Sequence, residues 1–206
     1  MKNRSVAMAP VAAAVAGEWI CAPQQNRQPR ELDRATAEAG ATLIRMARPS
    51  DVRPILDIAE ALIGSGLATE DILQRLLAWR PDSLWAFVRH GKVVGGFSML
   101  LLNSEGVDAL LAATLNTREP PYEFLTRRTE APSAIYISGS AHLSATDAML
   151  KMLVRLQSTP YERANIYAVP HTVSGLRFHQ RWGFHPVPGH PRHLSEYIRI
   201  CNRRYR

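Results

Sequence analysis

A chain of 206 residues, 46% of them hydrophobic, is long enough to bury one core and too short for two. Its formal charge of +7 is lopsided, because residues 161–206 hold eight Lys or Arg against two Asp or Glu while the remainder nearly balances. Cys21 and Cys201 match no metal-binding spacing and no disulfide framework, and no stretch approaches the ~20 apolar residues of a membrane-spanning helix. Two reduced, unpaired cysteines suit a cytoplasmic protein.

Residues 1–40 begin Met-Lys-Asn-Arg and run through an Ala/Val stretch, Val6 to Ala16. Ala14-Val15-Ala16 outlines a signal-peptide cleavage site, which makes export the alternative to the cytoplasm. The run is rich in Ala rather than Leu and contains Pro10, so it is read as an N-terminal extension, a tail or short docking helix before the polar linker Gln24 to Arg34. A single domain is then expected over residues 41–206.

Thr42 to Met46 reads as a strand, and Ser50 as the N-cap of a helix with an apolar face of Val52, Ile55, Leu56, Ile58, Ala59 and Leu62. Gly64-Ser65-Gly66 ends it, and Thr69 opens a second helix reaching Trp79. Leu84–Arg89 and Val93–Leu102, joined by His90-Gly91-Lys92, form a hairpin signal, with Gly95-Gly96 a candidate bulge. Residues 103–132 interrupt this plan as an insertion: Gly106 to Leu115 suits a helix, and Arg118 to Pro132 is polar and Pro-bearing. Ala134–Ser138 reads as a buried central strand, followed by a turn, Gly139 to His142. Ser144 and Thr146 are cap types ahead of a helix bearing Met149, Leu150, Met152, Leu153 and Leu156. Ala164–Val169 is the next strand, stopped by Pro170. A helix from Val173 to Trp182 ends at Gly183, and Phe184–Val187 begins another extended segment. Strand, helix, strand, helix, strand is the order of an open α/β sheet, whose ligand crevice lies at the carboxyl ends of the strands.

Two stretches carry a family resemblance. Gly175-Leu176-Arg177-Phe178-His179-Gln180-Arg181-Trp182-Gly183-Phe184 resembles the A-x-x-x-Y-x-x-x-GF segment of GNAT-type N-acetyltransferases, and LIRMARPSDVRPILDIAEAL with LWAFVRHGKVVGGFSMLLL resembles that superfamily's opening. The likeness covers roughly residues 42 to 200. It implies a mixed, mostly antiparallel sheet flanked by helices, and acetyl-CoA as co-substrate. The implied reaction is acetyl transfer from that acyl-CoA to an amine borne by a small molecule or a peptide. The insertion would then lie near the acceptor, or else be a surface excursion.

The resemblance also nominates residues. The family's pyrophosphate loop, Q/R-x-x-G-x-G/A, corresponds to positions near Ala141, Ser144 and Thr146, so its glycines and basic residue are missing and the loop is degenerate. Ser138, Ala141, Ser144, Ala145, Thr146 and Thr172 are the candidate coenzyme contacts, Thr172 standing where the family commonly has Asn. The family's general acid, a Tyr four residues before the Gly of the GF pair, corresponds to His179, and His142 at the crevice is a candidate base. Asp147 puts an anion into the first turn of the helix, where a pyrophosphate would sit. His185, His190 and His193 lack an acidic or Cys companion, so no metal is expected. A homodimer is compatible with the reading, as is a GNAT-fold protein that has lost catalysis and acts as a binding or regulatory partner. The basic end, with Tyr205 as a stacking group, suits nucleic acid, although a solvated basic tail is the commoner case.

Overall fold

The computed structural model describes residues 41–64, 66–142, 146–158, 160–191 and 193–197. The extension 1–40, Ser144, Ala145 and the basic tail from residue 198 lie outside them. Among the described residues, the strands β1 (Leu43–Met46), β2 (Leu84–Arg89), β3 (Lys92–Leu102), β4 (Ala134–His142), β5 (Asn165–Ala168), β6 (His185–Pro186) and β7 (Ser195–Tyr197) form one sheet. Its spatial order is β1-β2-β3-β4-β5-β7-β6. The helices are α1 (Val52–Ile63), α2 (Glu70–Trp79), α3 (Ser104–Leu111), α4 (Thr146–Arg155) and α5 (Val173–Arg181). Every neighbouring pair of strands is antiparallel except β4 with β5. A parallel pair needs a crossover, and α4 supplies it.

The sheet divides the core in two. On one face Val52, Ile55 and Leu56 of α1 and Leu73, Leu76 and Leu77 of α2 pack on Ala86, Leu100, Ala134 and Tyr136. On the other, Met149, Met152 and Leu156 pack on Trp85, Phe87, Phe97, Met99, Ile135 and Ile166. Helix α1 lies close to the sheet because Gly96 has no side chain: a Cβ there would stand 2.5 Å from Ile55 Cγ2.

Several expectations shift by a residue or two. His90 and Gly91 both take positive φ (49° and 74°), the conformation that matches a two-residue turn to strand twist. The bulge of this hairpin is at Val94, since Phe87 faces Gly95 and Val88 faces Val93. Ser50 does not cap α1. It lies inside a 3-10 turn, Pro49–Asp51, and the Asp51 carboxylate accepts from Arg48 N at 2.6 Å and Arg45 Nη2 at 3.0 Å. The Arg45 hydrogen bond is the main reason the Asp51 pKa is lowered. The expected turn at Gly139–His142 is strand: β4 continues to His142 because β3 is long enough to pair with it, Gly95 facing His142.

The insertion is not a surface excursion throughout. Leu110, Leu115 and Leu125 are buried on the α1/α2 face, and Leu125 bridges Leu102. Asn103 caps α3, its Oδ1 accepting from Gly106 N at 2.8 Å. Arg80, 3% exposed, ties the insertion down: its guanidinium donates to Thr126 Oγ1 at 2.6 Å, Arg127 O at 2.8 Å and Glu130 O at 3.0 Å, and pairs with Asp82. No helix among the described residues is long and apolar enough to cross a membrane.

Candidate active site

β4 and β5 pair from Ala134↔Asn165 to Ile137↔Ala168 and then part. β4 runs on to His142, while the chain after Ala168 leaves through Val169 and Pro170, whose missing N–H ends the ladder. The other edge of β4 is bulged at the same level. Ile137 faces Met99 and Gly139 faces Ser98, so Ser138 has a register partner in neither neighbouring strand. The splay opens onto a cavity of about 960 Å³, reached by residues from both faces of the sheet. That volume is at the upper end of ordinary ligand sites.

The nominated residues can now be placed. Ser138 lines the cavity, its Oγ 2.9 Å from Ser98 Oγ across the bulge. Ala141 lines it too, opposite Gly96. His142, the last residue of β4, is half-buried, its ring centroid 6.5 Å from that of Phe87. Burial lowers its pKa, and the Asp147 carboxylate partly offsets this. His179 reaches the cavity from α5 and stacks on Phe184, ring centroids 4.5 Å apart and 19° from parallel. Its Nδ1 is buried with no hydrogen-bond partner among the described residues, and burial lowers its pKa. Thr172 caps α5, its Oγ1 accepting from Gly175 N at 3.0 Å, and borders the cavity. Thr146 opens α4.

These positions follow from local sequence. Gly183, at φ 77°, turns the chain after α5, and Phe184 N donates back to His179 O at 3.0 Å. That turn buries Phe184 beneath His179, so the Gly-Phe pair positions the imidazole through packing.

Fold comparison bears on this geometry directly. No family model matches the sequence, and no curated protein matches it. Among solved structures, the loading GNATL domain of CurA from Lyngbya majuscula superposes with a TM-score of 0.54 at 18% identity, covering 76% of this chain and 96% of that domain. An acetyltransferase of the GNAT family from Staphylococcus aureus Mu50 gives 0.50 at 14% identity, over 76% and 98%. The chain has the GNAT fold. This GNAT-fold chain has the mostly antiparallel, helix-flanked sheet that the sequence resemblance implied.

Four residues of the site were not singled out from the sequence. Ser98, Asn116, Arg118 and His171 line the cavity, brought there by strand register, by the insertion and by the β5–α5 connection rather than by any local motif. Asp147 is exposed, with its carboxylate 3.5 Å from Lys151 Nζ and 4.0 Å from Arg89 Nη2. Lys151 is at i+4 and legible as a helix pair. Arg89 comes from the end of β2 and is legible only in three dimensions. Of the three C-terminal histidines, His190 is buried with Nε2 3.0 Å from Leu110 O, joining the β6–β7 connection to α3. Among the described residues no group of three or more His, Cys, Asp or Glu is arranged to hold a metal ion.

Proposed function

We propose that this chain is an acyl-CoA-dependent N-acyltransferase that moves the acetyl group of acetyl-CoA to an amine, in the cavity where β4 and β5 part. The observation that carries the reading is Ser138: a bulged strand residue without a register partner, lining a large cavity that His142, His171 and His179 also line. A fold supports many chemistries, and function is set by the site grafted on it.

A strand edge without a partner offers backbone groups to a pantetheine chain. An N–H beside the bulge is suited to polarise the thioester carbonyl as negative charge develops on its oxygen. The amine attacks that carbon, the N–C bond forms and the C–S bond breaks. The ammonium first gives one proton to solvent. His142 serves as base: burial keeps its pKa below the ordinary imidazole value, so it is neutral at pH 7 and able to take the second proton from the nitrogen as the N–C bond forms. The imidazolium so formed gives that proton to the thiolate. His179, also held neutral by burial, serves the departing sulfur as an N–H donor, and this is the form the acid role takes here. Pyrophosphate would lie at the start of α4, where Thr146 stands and where helix N–H groups favour an anion. Residues 41–206 form the transferase domain in this reading, and residues 1–40 are dispensable to it.

Mixing the full chain with acetyl-CoA and a set of primary amines tests the reading, with free thiol and acetylated product both measured. Amine-dependent, stoichiometric appearance of the two supports it. Thiol release without amine acetylation, or no release at all, contradicts it.

A further inference from the structure

The cavity has a marked chemical bias. Toward α1 and α2 its wall is aliphatic, from Ile55, Leu56, Ala59, Ile63 and Leu73. No Asp or Glu lines it among the described residues, and its cationic or imidazole side chains are Arg118, His142, His171 and His179. Arg118 arrives from the insertion and lies over Gly66, in the connection between α1 and α2. A Cβ at residue 66 would stand 2.8 Å from Arg118 Nη2 and 3.3 Å from Cζ, and Gly66 itself has φ 97°. The groove that accepts the guanidinium therefore exists because residue 66 is glycine. Asn116 Oδ1 accepts from Arg118 N at 3.2 Å and from Glu119 N at 3.4 Å, shaping the turn that carries Arg118. The adjacent acid does not neutralise Arg118, because Glu119 Oε1 pairs with Arg75 Nη2 at 3.3 Å. No ion pair to Arg118 occurs among the described residues.

An arginine on the rim of an aliphatic, carboxylate-free pocket recognises an anion and disfavours a second cation. We propose that the acceptor is an aliphatic aminocarboxylate: its amine at Ser138 and His142, its chain along Ile55, Ala59 and Ile63, and its carboxylate on Arg118. This rests on the acyltransferase reading and names the substrate class of the same site. It also gives the insertion a task, since neither α1 nor α2 supplies the anion-binding group. A polyamine, with no carboxylate and a second cation, would place that cation against Arg118.

The test uses the full chain, acetyl-CoA and three probes of matched length: 6-aminohexanoate, n-hexylamine and cadaverine. Turnover is read by thiol release, and binding is read independently by calorimetric titration of each probe. The expected result is at least a ten-fold preference in kcat/KM and in affinity for 6-aminohexanoate. Arg118→Met should raise its KM and Kd ten-fold or more while leaving the Kd of acetyl-CoA unchanged. Arg118→Lys should recover part of the loss, and Gly66→Leu, which fills the groove, should reproduce it. Equal handling of the three probes, absence of binding by all three, or an Arg118→Met protein that behaves as the parent overturns the proposal. So does weakened acetyl-CoA binding in Arg118→Met, which would assign Arg118 to the coenzyme. Acetyl-CoA binding without a carboxylate preference sinks this inference alone, whereas no acetyl-CoA binding sinks the acyltransferase reading with it.

Discussion

Replacing Asp147 by Asn removes the one anion in the first turn of α4 while keeping the shape of the side chain. In the parent its carboxylate lies 3.5 Å from Lys151 Nζ and 4.0 Å from Arg89 Nη2, so it offsets two cations that a phosphate at this helix end would otherwise feel. A single negative charge about 7 Å from a doubly charged diphosphate costs about 1 kcal/mol in water by Coulomb's law. Screening at physiological ionic strength, where the Debye length is about 8 Å, reduces that to about 0.5 kcal/mol. Asp147→Asn should therefore bind acetyl-CoA about two- to five-fold more tightly, the gain being larger at low salt. Stability should change little, because the Lys151 pair is exposed, the pair with part-buried Arg89 is long at 4.0 Å, and exposed pairs contribute about 0–1 kcal/mol. Calorimetric titrations of parent and variant at two salt concentrations measure this. Unchanged or weaker affinity, or a gain indifferent to salt, refutes the placement of the phosphate at α4. The same variant carries a second readout. Asp147 raises the His142 pKa against the larger effect of burial, so its removal should move the acidic limb of kcat/KM to lower pH.

Three further outcomes follow from particular contacts. His142→Gln should lower kcat by about 10²–10⁴-fold with acetyl-CoA affinity kept, as loss of a general base does, measured by thiol release; an unchanged kcat removes His142 from the mechanism. Arg80→Met leaves Asp82 without its cation and Thr126, Arg127 and Glu130 without a shared donor, and should destabilise by about 3–5 kcal/mol in denaturant unfolding. Phe184→Ala should cost about 3–5 kcal/mol and, by withdrawing the ring beneath His179, reduce activity beyond the loss of folded protein; a stable variant with full activity contradicts the positioning argument.

Much of the fold was legible because its signals are local. Thr69 caps α2, Gly183 turns at positive φ, and His90-Gly91 sets a hairpin, each a property of one or two residues. The β-branched run Ala134–Ile137 announced the central strand, but its continuation to His142 depends on pairing with Gly95 and Gly96, which no window of sequence contains. Asp51 displaced Ser50 at the entry to α1 for the same kind of reason: its partner Arg45 belongs to the strand before it. That His142 and His179 line the cavity was legible through strand end and family spacing. Arg118 was not, because it enters the cavity only through the groove left by Gly66, and residue 66 signals a turn rather than a contact. β7 was missed because three residues, Ser195–Tyr197, are too few for alternation to register.

Hydrogen–deuterium exchange of the full chain, with and without acetyl-CoA, tests most directly whether the parting of β4 and β5 holds the acyl donor. Exchange should slow at Ser138–His142, at the start of α4 and at Thr172–Gly175, with the outer strand pair β1–β2 unaffected. Protection confined to other parts of the chain, or none at millimolar acetyl-CoA, would contradict it.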